Sequence, residues 1–178
     1  MSAEQNSLPA GSPFWRFSLR YYRQPGVGDA CIALQDGADV DVNLLLFLLW
    51  QASQGRAFTV ADVADIERRI GPWRGMTVVP LRQVRRALRS PPALVEPSAA
   101  EAFRNKIKAV ELEAERLQQE AMHQMAQSST LGRPASSPQD AARDSVAAYE
   151  TSCAKPFPKP AVETLLGVFE RLDHKPEE

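Results

Sequence analysis

Two groups of residues in this 178-residue chain have the types and spacing to do chemistry. The first lies in LQDGADVDVNLLLFLLW, residues 34–50, where Gln35, Asp36, Asp39, Asp41 and Asn43 run straight into the most apolar stretch of the chain. The second is a row of seven arginines, Arg68, Arg69, Arg74, Arg82, Arg85, Arg86 and Arg89, with no acidic residue between 68 and 89. Asp39, Asp41 and Asn43 have the 1, 3, 5 spacing of a calcium loop, but position 6 requires glycine and position 12 glutamate. Those positions hold Leu44 and Trp50. No metal is expected there. Asp39 or Asp41 instead caps the helix that follows and favours its positive dipole end. Asn43, set inside an apolar run, needs a hydrogen-bond partner if it is buried.

The row carries a local charge of +7 in a chain whose net charge is −1. Arg82, Arg85, Arg86 and Arg89 fall at i, i+3, i+4 and i+7, sharing one helical face opposite Leu81, Val84 and Leu88. Like charges so placed repel unless compensated. Their partners are either the chain's own carboxylates, above all Asp29, Asp36, Asp39 and Asp41, or an external phosphate, carboxylate or acidic protein surface. Trp73, beside Arg74, is placed to stack on a base or a guanidinium. Internal pairing is the plainer of the two. Nucleic acid is the least expected partner, because the near-neutral chain offers it no overall attraction.

Other chemistries lack their parts. GVGDAC, residues 26–31, begins like a dinucleotide loop, but no strand precedes it and the third glycine is missing. His123 and His174 have no ligand-type neighbour at metal spacing. There is no GxSxG, no P-loop and no HExxH. No catalytic residue and no cofactor are assigned on this basis. Cys31 and Cys153 form neither a disulfide framework nor a metal knuckle, which suits a reduced cytoplasmic setting. The N-terminal residues have no apolar core of a signal peptide, and Leu44–Trp50 falls far short of the ~20 residues that span a bilayer.

The elements that must position these groups are helices, since apolar residues recur with a period near 3.6 between the breakers. Expected are a tail over 1–11 and a helix PFWRFSLRYY opened by Ser12-Pro13. A second helix spans about 27–35 and stops at Gly37, and a core helix spans about 41–53. A fourth, capped by Thr59 and Asp62, ends at Gly71-Pro72, and a fifth covers about 80–88. A long helix follows to about 127, opened by a capping box at Ser98 and Glu101. Its seam, Phe103, Ile107, Val110, Ala114, Leu117 and Ala121, needs a partner. Residues 128–138 read as a flexible loop. Two C-terminal helices within 139–173, packed on the same domain, are available to cover the seam, with a short tail over 174–178. If they leave it bare, a homodimer through the long helix follows.

FWRFSLRYYRQPGVGDACIALQDGADVDVNLLLFLLW, followed by WRGMTVVPLRQVRRALR, resembles a family of conserved hypothetical proteobacterial proteins, catalogued as a domain of unknown function. The resemblance covers about residues 14–131. It is carried by Trp15, Phe17, Ser18, Gln35, Asp41, Asn43, Trp73, Arg74, Pro80, Leu81 and Arg82 in that order. It implies a small helical bacterial protein and transfers no catalytic residue.

The expectation is therefore an all-α bundle of about five short helices with a longer helix folded against C-terminal helices. It acts as a binding or regulatory protein whose arginine face, Arg74, Arg82, Arg85, Arg86 and Arg89 with Trp73, takes an anion or an acidic partner. The alternative is a helical enzyme acting on a phosphorylated or isoprenoid-like substrate. That alternative requires several carboxylates and arginines converging in a pocket, whereas a binding protein of this kind would carry a filled core and a surface patch.

Overall fold

The computed structural model describes residues 11–173, so residues 1–10 of the expected N-terminal tail, the C-terminal tail and His174 lie outside the described residues. Eight helices follow in order: α1 Pro13–Tyr22, α2 Val27–Ala38, α3 Val42–Ala52, α4 Val60–Met76, α5 Val78–Ala87, α6 Pro97–Ser128, α7 Pro138–Cys153 and α8 Lys159–Asp173. They form a compact all-α bundle. None is long and apolar enough to cross a membrane.

Local chemistry sets most of the boundaries. The Ser12 hydroxyl accepts from Trp15 N at 3.1 Å, with Pro13 at the first helical position. Thr59 and Asp62 make the expected reciprocal box. Asp41, extended and immediately before α3, accepts from Asn43 N at 3.0 Å. Asp39 has a different task. It closes α2 in the left-handed conformation at φ 55°, which Asp tolerates better than most residues, so the helix runs past Gly37.

Two other expected boundaries are corrected. α4 continues through Gly71-Pro72 to Met76. Proline removes one ladder bond, but the turn around it is held from outside by buried Ile70, by Trp73 and by Arg74. α6 begins at Pro97 with Glu96 as cap and without a side-chain capping bond. Proline at the first helical position places Ser98 inside the first turn, where its hydroxyl cannot cap.

α3 is the central rod, with every residue from Asn43 to Ala52 buried. Phe47 packs edge-on against Phe14 of α1 at 5.4 Å and against Phe58 at 6.1 Å, while Phe14 stacks on Trp50 at 5.3 Å. α7 lies on α3 and α4, and α8 lies on α2, where the Tyr21 hydroxyl donates to Leu165 O at 2.6 Å. The stretch expected to be a flexible loop contains a strand, β2 Arg133–Pro134, antiparallel to β1 Arg56–Ala57. Gly132, at φ 64°, makes that crossing feasible: a Cβ there would sit 2.5 Å from Ala57 O.

The seam on α6 is also corrected. Its buried residues are Ala100, Glu111, Ala114, Gln118, Gln119 and Met122, and they face α5, α1, α3 and α4. Phe103, Val110 and Leu117 are exposed. The C-terminal helices cover α2, α3 and α4 instead. A polar face is the buried one because each of Glu111, Gln118 and Gln119 meets a partner there.

Candidate functional site

The polar groups ahead of α3 are tied into the bundle. Asp41 Oδ2 accepts from Gln118 Nε2 at 2.6 Å and lies 3.1 Å from Arg74 Nη1, while the Tyr149 hydroxyl accepts from Asp41 N at 2.9 Å. Arg74 also pairs with Glu67. Burial works against the Arg74 charge, yet Asp41 and Glu67 hold it above its ordinary pKa. Burial, with the Asp41 charge added, raises the Tyr149 phenol. Asn43 Oδ1 accepts from Gln119 Nε2 at 2.7 Å, which meets the need of its buried amide. Leu44 and Trp50, in the positions a calcium loop would use for glycine and glutamate, are core residues of α3.

The arginine row is held largely by carboxylates that the sequence did not single out. Arg82 Nε donates to Glu111 Oε1 at 3.0 Å and its Nη2 to Glu115 Oε1 at 2.7 Å. Arg85 embraces the same Glu111 carboxylate, its Nη2 donating to Oε1 at 3.1 Å and its Nε to Oε2. Of the aspartates expected as partners, Asp36 pairs with Arg86 at 2.8 Å and Asp41 with Arg74. Asp39 pairs with Lys155, and Asp29 takes no arginine of the row among the described residues. Arg68 and Arg69 meet Asp65 on the exposed side of α4. The signal for Glu111 and Glu115 was their i, i+4 spacing on α6, hidden by the apolar seam drawn through its other side.

Between α1, α2, α3, α5 and α6 these groups frame a cleft of about 630 Å³. Arg82, Arg85, Arg86 and Arg89 line it together with Asp36, Glu111 and Glu115, and Gln35 and Asn43 lie on its wall. Trp73 and Arg74 do not. The Trp73 indole donates to Ala114 O at 3.0 Å on another side of α6. A pocket where carboxylates and arginines converge thus replaces the surface patch anticipated from the row alone.

The cleft has two kinds of cation. Arg82, Arg85 and Arg86 are neutralised by Glu111, Glu115 and Asp36. Arg23, Arg89 and Lys108 are exposed at its edge and have no ion pair among the described residues, which leaves an excess of three positive charges. The walls are apolar at Leu19, Tyr22, Ile32, Val42, Leu46 and Leu112. Three buried polar atoms of lining residues, Trp15 Nε1, Ser18 Oγ and Gln119 Oε1, have no hydrogen-bond partner among the described residues.

The two glutamates are pushed apart. Burial acts to raise Glu111, but the Arg85 and Arg82 hydrogen bonds outweigh it and hold the carboxyl below its ordinary pKa. For Glu115 burial dominates the single Arg82 contact and raises it, with the Glu111 charge adding to the effect. Burial pushes the Cys31 thiol up to about 12, so it is no nucleophile at neutral pH. Among the described residues no group of three or more His, Cys, Asp or Glu could hold a metal ion.

No curated protein and no solved structure matches the chain. The family model that does match covers residues 13–122, which spans α1 to α5 and most of α6, including every helix that walls the cleft. With well over half of its length inside that match, the chain belongs to the family described as Protein of unknown function (DUF2390).

Proposed function

We propose that the protein is a non-catalytic binding protein for a small anionic molecule with an apolar body, taken into the cleft between α1, α2, α3, α5 and α6. One observation carries this reading: the cations on the cleft wall are already matched by carboxylates, while Arg23, Arg89 and Lys108 at its edge are not. The volume suits a small molecule, and the apolar walls supply most of the contact while the edge cations select charge. Phosphate and carboxylate both fit that chemistry. The concave shape favours a small ligand over an acidic protein surface. The paired wall arginines favour it over nucleic acid, which needs an open basic track. A cytoplasmic setting accords with free Cys31 and Cys153.

The test uses 8-anilinonaphthalene-1-sulfonate, an apolar anion that fluoresces when bound. The native protein binds it at one saturable site, and Arg89→Glu plus Lys108→Glu weakens binding about tenfold with an unchanged melting temperature. Saturable binding that ignores the charge reversal, or none at all, overturns the proposal.

A second reading is favoured by the convergence of Arg82, Arg85, Glu111 and Glu115 in one cleft, the arrangement an enzyme requires, with Glu111 held below and Glu115 above the ordinary carboxylate pKa. On that reading the cleft turns over a phosphorylated or isoprenoid-like substrate, with Glu115 as proton donor. Hydrolysis of p-nitrophenyl phosphate or an isoprenyl diphosphate that disappears in Glu115→Gln, while dye binding persists, supports it. Its absence with both substrates leaves binding alone.

A further inference from the structure

Five apolar residues on α6, Ala99, Phe103, Val110, Leu117 and Ala121, lie exposed. With 100° per residue they fall within an arc of about 40°. Their order is a palindrome about Val110: Ala99 mirrors Ala121, and Phe103 mirrors Leu117. A stripe that reads the same from both ends is complementary to a second copy of itself running the other way. Four residues from its centre, Ala114 O accepts from the Trp73 indole, which fixes the end of α4 there, and Met76 in the last turn of α4 is 71% exposed.

Charge decides the direction. Lys106 and Glu113 stand on the same edge of the stripe, both exposed. Lys106 makes no ion pair among the described residues, and Glu113 pairs only with Arg116 of its own helix. In an antiparallel pair centred on Val110, Lys106 falls opposite position 114, one residue from Glu113 of the partner subunit, and the contact occurs twice. A parallel pair in register would set Lys106 against Lys106 and Glu113 against Glu113.

We propose that the chain forms an antiparallel homodimer through α6, with the two-fold axis at Val110. The cleft residues Lys108, Glu111, Leu112, Glu115 and Gln119 occupy a different arc of α6, so the dimer leaves the cleft open and its test is independent of the ligand.

Light scattering on the size-exclusion peak measures this directly. The expected mass is twice the 19.7 kDa of one chain, and it falls to one chain in Val110→Glu, with circular dichroism and melting temperature as controls for the fold. Lys106→Glu raises the dimer dissociation constant about tenfold, and Lys106→Glu combined with Glu113→Lys restores it. A single-chain mass up to about 100 μM, or a dimer indifferent to Val110→Glu, overturns the proposal. Failure of the double reversal to restore the Lys106→Glu dimer overturns the antiparallel register. A chain that stays monomeric while this stripe captures a helix of another protein also overturns it.

Discussion

Glu111→Gln is the perturbation that most sharply examines how α5 is held against α6. The carboxylate is 6% exposed and takes three N–H donors from Arg82 and Arg85, each itself 19% exposed. Removing one partner of a buried ion pair costs about 3–5 kcal/mol, because the other charge is left without compensation. Two features reduce that figure. The glutamine carbonyl still accepts from one guanidinium, and Glu115 still holds Arg82. The expected loss is therefore about 2 kcal/mol at neutral pH, near one or two charge-assisted hydrogen bonds. For a chain of this length that lowers Tm by about 4–8 °C. The pH dependence has a definite sign. Glu111 titrates below its unfolded value of 4.5 in the folded protein, so the wild-type advantage is complete above that value. It is lost as pH falls through the folded pKa. Urea unfolding of both proteins at pH 7 and at pH 3.5 measures it, these pH values lying about 2.5 units above and about one unit below the unfolded value of 4.5. A loss under about 0.5 kcal/mol at pH 7, or one that grows in acid, would refute the assignment of Glu111 as the clamp.

Three further outcomes follow from the same geometry. Asp41→Ala removes a helix cap and leaves Gln118 and Arg74 short of a partner, so it lowers stability by about 3–4 kcal/mol. Asp41→Asn keeps the cap and costs less, and urea melts of the two that coincide would contradict this. Gly132→Ala meets both the left-handed backbone and the Ala57 carbonyl, so unfolding shifts by about 1–3 kcal/mol and hydrogen exchange at Ala135 N, bonded to Gly55 O, speeds up. Glu115 has its folded pKa raised, so its ionisation opposes folding as pH rises above 4.5. The Tm difference between Glu115→Gln and wild type is accordingly more favourable to the variant at pH 7 than at pH 4, and a reversed order would contradict the raised value.

Much of the fold could be read along the chain because its start signals are local. Ser12-Pro13, Asp41 and the Thr59–Asp62 box each satisfy backbone donors two or three positions away. What escaped reading was settled across the bundle. Pro72 does not end α4, because Trp73 and Arg74 anchor that turn to α6 and to Asp41. On α6 the spacing of apolar residues pointed to one arc, while burial went to the arc bearing Glu111, Gln118 and Gln119. Polar residues are buried when their partners are buried with them, and those partners sit 26 to 77 positions away. The candidate site shares this division. Arg82, Arg85, Arg86 and Arg89 were visible as one face, yet only the folded chain shows that Glu111 and Glu115 neutralise two of them. The edge cations Arg23 and Lys108 come from α1's end and α6, and no local pattern links them to Arg89.

The cleft's role rests on charge and apolar surface acting together, so the most direct measurement separates them. Bound 8-anilinonaphthalene-1-sulfonate is titrated with dodecyl phosphate, with dodecanol and with inorganic phosphate, on the native protein and on Arg89→Glu plus Lys108→Glu. If the cleft takes an anion with an apolar body, dodecyl phosphate displaces the dye at least about tenfold more effectively than either half alone, and the charge reversal abolishes that preference. Equal displacement by dodecanol, or a preference that survives the reversal, would contradict the account.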